Sequence, residues 1–154
     1  IGPLTRLTEP EPTGTTQLLV LLSGPEPQRT IFENLVVGQW KRRPGKSLVL
    51  VRGLPLDEKQ MESLPNCRCY NHLPTDVFSQ EVANAEKILC RSGYSSIMDL
   101  IPLKKNCIMV PTPGQTEQEY LAKYLGSQGV IKAVDQKNLQ LDELLESAAP
   151  LPVC

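Results

Sequence analysis

At 154 residues, with sixteen Lys plus Arg against seventeen Asp plus Glu and a formal net charge of -1, the chain has the length of one ordinary domain with a substantial core. That balance argues against a general nucleic-acid or acidic-membrane binder, while leaving room for a local basic pocket. No apolar run approaches the roughly 18 residues of a spanning helix, and nothing resembles a signal peptide.

Residues 1–16, IGPLTRLTEPEPTGTT, start with Ile rather than Met and are rich in Pro, Thr and Gly without periodicity. They read as a linker or interdomain segment, and the chain is expected to be cut from something longer. QLLVLL (17–22) is a continuous apolar run of the kind a buried parallel strand makes, and it stops at SGPEPQ. RTIFENLVVGQW (29–40) has the length and spacing of a helix, KRRPGK is a turn, and SLVLVRG (47–53) is the second strand. DEKQMESL (57–64) reads as a short helix and NCRCYNHL (66–73) as an alternating strand ending at Pro74. Helical spacing of Val77, Phe78, Val82 and Ala85 follows. KILC (87–90) is the fourth strand, and SSIMDLIPL begins a helix that Pro102 ends or kinks. NCIMVPTPG (106–114) is the fifth strand with a stiff loop, and TEQEYLAKYLGSQG (116–129) a helix with a glycine exit. VIKAV (130–134) is an edge strand and NLQLDELLESAA (138–149) a closing helix, leaving 150–154 as a tail. Apolar strands alternating with helices predict an α/β fold, a doubly wound, Rossmann-like parallel sheet with helices on both faces, over residues 17–149.

The five cysteines are Cys67, Cys69, Cys90, Cys107 and Cys154. Their odd number and the lack of a C-x-x-C pair fit a reducing, cytoplasmic compartment. Cys67 and Cys69 point the same way along a strand, but two thiols do not make a zinc site, and no metal is expected.

In doubly wound folds ligands collect outside the carboxyl ends of the strands. The loops predicted there are SGPEPQR, RG, NHLPT, RSGYSS and PTPGQTEQ, which are also the richest clusters of Gly, Pro and small polar residues. Gly24 lets the first loop approach a ligand without a Cβ in the way, or the loop is simply a β-turn set by two prolines. There is no G-x-G-x-x-G and no P-loop lysine, which points away from dinucleotide and triphosphate machinery. In RSGYSS, Gly93 is free to take positive φ, and Ser95 and Ser96 leave backbone N–H groups at the head of the next helix, where a diphosphate is held well. Arg91 is a further phosphate contact or a surface ion pair.

Asp99 has two readings. Ser96-Ile97-Met98-Asp99 matches S-x-x-D, a capping box, whereas two acceptor oxygens also suit the vicinal hydroxyls of a ribose. Thr116 and Glu119 make a second such box, and Gln118 sits in the same first turn with an amide to offer a sugar. His72, the single histidine, has no evident acid partner and reads as a general base or as an ordinary loop residue. D-x-D is absent, so phosphate charge must be met by amides, a helix terminus and arginine rather than by a divalent cation.

These stretches carry a resemblance. From about Gln17 to Gly129 the chain resembles the C-terminal, donor-binding domain of GT-B glycosyltransferases, and in particular family 28, which includes the N-acetylglucosaminyltransferase of peptidoglycan synthesis. CRSGYSSIMDL is similar to that family's C-R-S-G-x-x-x-x-x-E stretch, with Asp99 where the family's ribose-binding glutamate stands. CIMVPTPGQTEQEYLAKYL resembles its Pro-containing loop and D-x-Q-x-x-N-A helix start, with Gln118 at the sugar-contacting glutamine and Glu119 beside it. The uracil-binding backbone of the family maps onto His72, Leu73 and Pro74. Its G-G-S-x-G-like diphosphate loop is replaced here by SGPEPQR, which leaves Ser23 and Gly24 in that role together with Arg91, Ser92, Gly93, Ser95 and Ser96.

The resemblance implies an inverting transferase whose donor substrate is a UDP-linked hexose or N-acetylhexosamine, with no cofactor. It implies a partner in cis, an N-terminal acceptor-binding domain that supplies the general base and any peripheral membrane contact. A nucleotide-sugar 2-epimerase and a non-catalytic nucleotide-binding or scaffolding module are the alternatives.

Overall fold

The computed structural model describes residues 10–42, 46–56 and 64–146. Six strands form one sheet: β1 (Thr16–Leu21), β2 (Leu48–Val51), β3 (Cys67–Tyr70), β4 (Ala85–Cys90), β5 (Asn106–Met109) and β6 (Lys132–Ala133). Their spatial order is β3-β2-β1-β4-β5-β6, and every pairing is parallel. The order reverses between β1 and β4, so a crevice opens at the carboxyl ends of these two strands.

The helices are α1 (Gln28–Trp40), α2 (Thr75–Asn84), α3 (Tyr94–Leu100), α4 (Thr116–Ser127) and α5 (Leu141–Glu146). Alternation along β1 sends Leu18 and Val20 to one face of the sheet and Leu19 and Leu21 to the other. Leu18 and Val20 pack with Phe32, Val36 and Trp40 of α1 and with Leu141 and Leu144 of α5. Leu19 and Leu21 pack with Val82 of α2, Leu100 of α3 and the half-buried Leu125 of α4. The predicted doubly wound α/β sheet with helices on both faces is the observed one.

The differences are local. The edge strand predicted over 130–134 pairs only at Lys132–Ala133, because its neighbour β5 ends at Met109. The closing helix begins at Leu141 instead of Asn138, after a 3-10 turn over Gln136–Asn138. Gln39 fixes that start: its Nε2 donates to Leu139 O (2.8 Å) and its Oε1 accepts from Leu141 N–H (2.7 Å). Pro102 ends α3 in a 3-10 turn, Ile101–Leu103, as its missing N–H dictates. The short helix expected at 57–64 falls, apart from Leu64, outside the described residues, as do the tail 150–154 and most of the N-terminal segment.

Two glycines set the crevice geometry. Gly24 has φ +97°, a conformation that L side chains rarely adopt. Gly53 has φ +70°, and a Cβ there would lie 2.3 Å from the carbonyl oxygen of Leu22, so β2 leaves the sheet against the end of β1 only because this residue is glycine.

Candidate functional site

A cleft of about 410 Å³ occupies the crevice. Its apolar wall comes from the strand ends and helices: Leu21, Leu22, Val51, Phe78 and Leu100. Its polar side comes from Ser23, Gly93, Tyr94, Ser95, Ser96 and Asp99. An apolar pocket with a few convergent polar groups is the usual form of a small-molecule site, and the volume lies in the usual range.

The polar side is built by the start of α3. Gly93 is the N-cap, and the first amide bonded back to it is that of Ile97, which donates to Gly93 O at 3.1 Å. The N–H groups of Tyr94, Ser95 and Ser96 therefore have no partner within the helix, as helix geometry requires, and they stand at the cleft. Among the described residues no side-chain cap hydrogen bond is made at this end. The S-x-x-D capping box is thus not formed: the helix begins two residues before Ser96, which lies inside its first turn, and Asp99 lines the cleft, 9% exposed. The same correction applies to α4, whose N-cap is Gln115, so Thr116 is already helical and no side-chain cap forms with Glu119.

Gly93 departs from expectation in an informative way. Its φ is -77° and its ψ 153°, which any residue adopts, and a Cβ there would meet nothing within 4 Å. Neither backbone strain nor protein packing requires a glycine. The space its missing side chain leaves belongs to the cleft.

Arg91 and Ser92 do not line the cleft. Arg91 is 1% exposed and stacks over Phe32, 4.1 Å from the ring centroid. Its Nη1 donates to Val110 O and Pro111 O, both at 3.3 Å, and its Nη2 to Gln28 O at 3.2 Å. Burial pushes its pKa down to about 10. Arg91 therefore ties the start of α1 to the β5–α4 loop, and backbone carbonyls stand where a phosphate contact, or else a surface ion pair, was expected. Ser92, fully buried, donates its hydroxyl to Gln118 O at 2.8 Å. Gln118 in turn accepts the Thr112 N–H on its Oε1 at 2.8 Å, bracing the proline loop against α4.

The remaining residues spread along the same edge of the sheet. Ser23 lines the cleft, while Gly24 is one residue beyond it. His72 and Pro74 are exposed, and Leu73 is buried in the cluster that also holds Leu21, Val51 and Phe78, so it backs the cleft wall. Glu119 opens onto a second cavity, of 580 Å³, together with Pro111, Pro113 and Gly114. Among the described residues no group of three or more His, Cys, Asp or Glu is placed to hold a metal ion, and no helix is long and apolar enough to cross a membrane.

A buried charge network escaped sequence reasoning. Glu33, 7% exposed, accepts from Arg29 Nη1 (3.0 Å) and Arg52 Nε (2.8 Å). Arg29 Nη1 also donates to Arg52 O, and Arg52 Nη1 to Asn71 Oδ1 at 3.0 Å. Burial alone would raise the Glu33 pKa, but the hydrogen bonds from Arg52 and Arg29 outweigh it and hold the carboxyl below its ordinary value. Glu26 joins from the first loop, accepting from Arg29 Nε (3.0 Å) and from the N–H and hydroxyl of Thr30. This network locks the SGPEPQR loop to the ends of β2 and β3. The pattern E-x-x-R at 26–29 and R-x-x-x-E at 29–33 was its only local trace. Tyr94, exposed at the rim, was also overlooked inside RSGYSS.

Residues 30–151 match the family model of the glycosyltransferase family 28 C-terminal domain. The chain belongs to that family. Two curated relatives agree with the match. The UDP-N-acetylglucosamine--N-acetylmuramyl-(pentapeptide) pyrophosphoryl-undecaprenol N-acetylglucosamine transferase of Mannheimia succiniciproducens is 35% identical over 72 residues, 46% of this chain and 20% of its own. The enzyme of the same name from Chlorobium luteolum is 34% identical over 71 residues, 45% of this chain and 20% of its own. The matched stretch of this chain spans about a fifth of the length of these relatives. Among solved structures, the glycosyltransferase SnogD from Streptomyces nogalater superposes with a TM-score of 0.63 at 16% identity, covering 96% of this chain and 38% of that one. The glycotransferase of kitacinnamycin gives 0.65 at 18%, covering 94% and 37%. At such identities these two support the fold, a GT-B half-domain, and nothing finer.

Proposed function

We propose that this family 28 domain is the nucleotide-sugar-binding half of an inverting glycosyltransferase whose donor is a UDP-linked hexose or N-acetylhexosamine. The observation that carries the reading is the cleft at the β1/β4 reversal, with helix-start amides on one side and Asp99 beside them. The relatives named for UDP-N-acetylglucosamine add weight to the donor class.

In this reading the nucleoside lies along the apolar wall, backed by the His72–Pro74 segment, and the Asp99 carboxylate accepts from the two ribose hydroxyls. The diphosphate meets the amides of Tyr94, Ser95 and Ser96 and the Ser23–Gly24 turn. Gln118, whose Oε1 is occupied by Thr112, has its Nε2 to donate to a sugar hydroxyl. An acceptor hydroxyl then attacks the anomeric carbon from the face opposite the diphosphate. The C–O bond to the β-phosphate breaks, and the departing charge is stabilised by preorganised N–H donors and the helix start. The proton of the attacking hydroxyl goes to a base outside this chain, in an N-terminal acceptor-binding domain. Arg91 and Ser92 act at one remove, holding the loops that surround the diphosphate.

The test is titration of the intact protein with UDP-, GDP- and TDP-sugars, followed by turnover with whichever binds. Selective binding of a UDP-sugar and transfer with inverted anomeric configuration are expected. Failure of every nucleotide to bind would replace the enzyme reading with that of a non-catalytic module.

A further inference from the structure

Cys67 and Cys69 stand two residues apart on β3, the edge strand, so their side chains share one face of the sheet. Their sulfurs are 3.3 Å apart, close enough for one S–H to bond the other. Both are half-buried against the core cluster under α1, on the face of the sheet opposite the cleft wall. The other two thiols of the described residues, Cys90 and Cys107, are 1% and 0% exposed.

We propose that Cys67 and Cys69 are a vicinal dithiol that a hydroperoxide converts to an intrastrand disulfide, a modification site distinct from the nucleotide cleft. Geometry permits the bond with a local pucker of the strand. A parallel strand rises about 3.3 Å per residue, which puts both the Cα pair and the same-face Cβ pair about 6.6 Å apart; the Cα spacing is inside the upper limit of ~6.8 Å for a disulfide, and the pucker must shorten the Cβ spacing. The sulfurs must close from 3.3 Å to about 2.05 Å, and the two Cβ atoms must draw in with them to about 3.5–4.5 Å. β3 pairs with β2 alone, so the pucker this needs disturbs one ladder and not two.

The chemistry assigns the roles. The hydrogen bond from Cys67 lowers the Cys69 pKa; burial opposes this, the Arg52 guanidinium assists, and the net shift is below the ordinary thiol value. The same hydrogen bond, with burial, pushes Cys67 up, and burial pushes up both Cys90 and Cys107. Cys69 is therefore the more readily ionised of the two and the nucleophile. It attacks the terminal peroxide oxygen and breaks the O–O bond. The alcohol or water leaves, taking up the proton Cys69 gave on ionising, and Cys69 becomes a sulfenic acid. The Cys67 sulfur then attacks the Cys69 sulfur; hydroxide leaves and takes the Cys67 proton as water. Two thiols lose two electrons in all, and the peroxide gains them.

The experiment treats the intact native protein with limiting hydrogen peroxide, alkylates the remaining thiols and digests with trypsin. Cleavage after Arg68 parts the two cysteines when they are reduced, and a bridge keeps them joined, unalkylated and two hydrogens lighter. The expected result is a Cys67–Cys69 bridge forming at least tenfold faster than any loss of Cys90 or Cys107, and undone by dithiothreitol. In Cys67→Ser, dimedone should trap a sulfenic acid on Cys69, whereas Cys69→Ser should leave Cys67 alkylatable. The proposal is overturned if both cysteines stay alkylatable at that dose, if Cys69 runs on to sulfinic acid without a bridge, or if the bridge forms only in urea.

Discussion

Replacing Gly93 by alanine separates a glycine kept for the fold from one kept for a ligand. The backbone at Gly93 is extended, with φ -77° and ψ 153°, and the added Cβ would meet no protein atom within 4 Å. Alanine at a helix N-cap gives up at most about 1 kcal/mol. Its smaller unfolded-state freedom offsets roughly 0.4–1 kcal/mol of that. Stability in a urea melt should therefore stay within about 0.5 kcal/mol of wild type, with the slope unchanged. The methyl, however, projects into the cleft beside the amides of Tyr94, Ser95 and Ser96, which have no partner within α3. A diphosphate seated against that backbone must retreat, at a cost on the scale of overpacking, about 1–3 kcal/mol, or roughly five- to 150-fold in Kd for UDP. Titration of the same preparation gives the second number. UDP affinity within twofold of wild type, alongside unchanged stability, would refute the placement of the phosphates. A stability loss above about 1.5 kcal/mol would show instead that the fold itself needs this glycine.

Arg91→Met removes three hydrogen bonds to backbone carbonyls, at about 1 kcal/mol each for bonds of this length, and should cost on the order of 3 kcal/mol in denaturant melts; a loss under 1 kcal/mol would mean that the guanidinium does not tie the loops. Glu33 has a depressed pKa in the folded state, so its contribution is present above its unfolded value near 4.5 and is lost as pH falls through the lower folded value. Glu33→Gln should cost about 3 kcal/mol at pH 7 and flatten the decline of stability below pH 4.5, and an unchanged acid limb would contradict the network's role. UDP affinity should change less than twofold when EDTA replaces Mg²⁺ if, as proposed, amides meet the phosphate charge; a tenfold loss, about 1.4 kcal/mol, would show a metal carrying part of it.

The sheet was legible because its strands are continuous apolar runs bounded by Gly and Pro, as in LVLVRG and KILCRSG, and such runs leave little choice but a parallel sheet buried on both faces. The order of the elements followed from their alternation, and the cleft from the loops that end them. What local pattern could not carry was the partner of a side chain. S-x-x-D and T-x-x-E look like capping boxes wherever they occur, yet both helices here start earlier than their boxes require. Arg91 looks like a surface phosphate ligand until Phe32, 59 positions earlier in the chain, is brought beneath it. Gly53 is an ordinary turn glycine until β1 delivers the Leu22 carbonyl to within 2.3 Å of its missing Cβ. The last two depend on contacts between elements distant in sequence, which periodicity does not encode.

Whether the cleft holds a ribonucleoside diphosphate with Asp99 on the ribose is decided by one set of calorimetric titrations. Wild type and Asp99→Asn of the intact protein are each titrated with UDP and with 2′-deoxy-UDP, which isolates the coupling between the carboxylate and the hydroxyl. Wild type should prefer UDP, and the substitution should weaken UDP by roughly 1.5–3 kcal/mol, the scale of charge-assisted hydrogen bonds, while barely affecting the deoxy ligand. Equal weakening of both ligands, with a coupling energy near zero, would contradict the placement of Asp99 on the ribose.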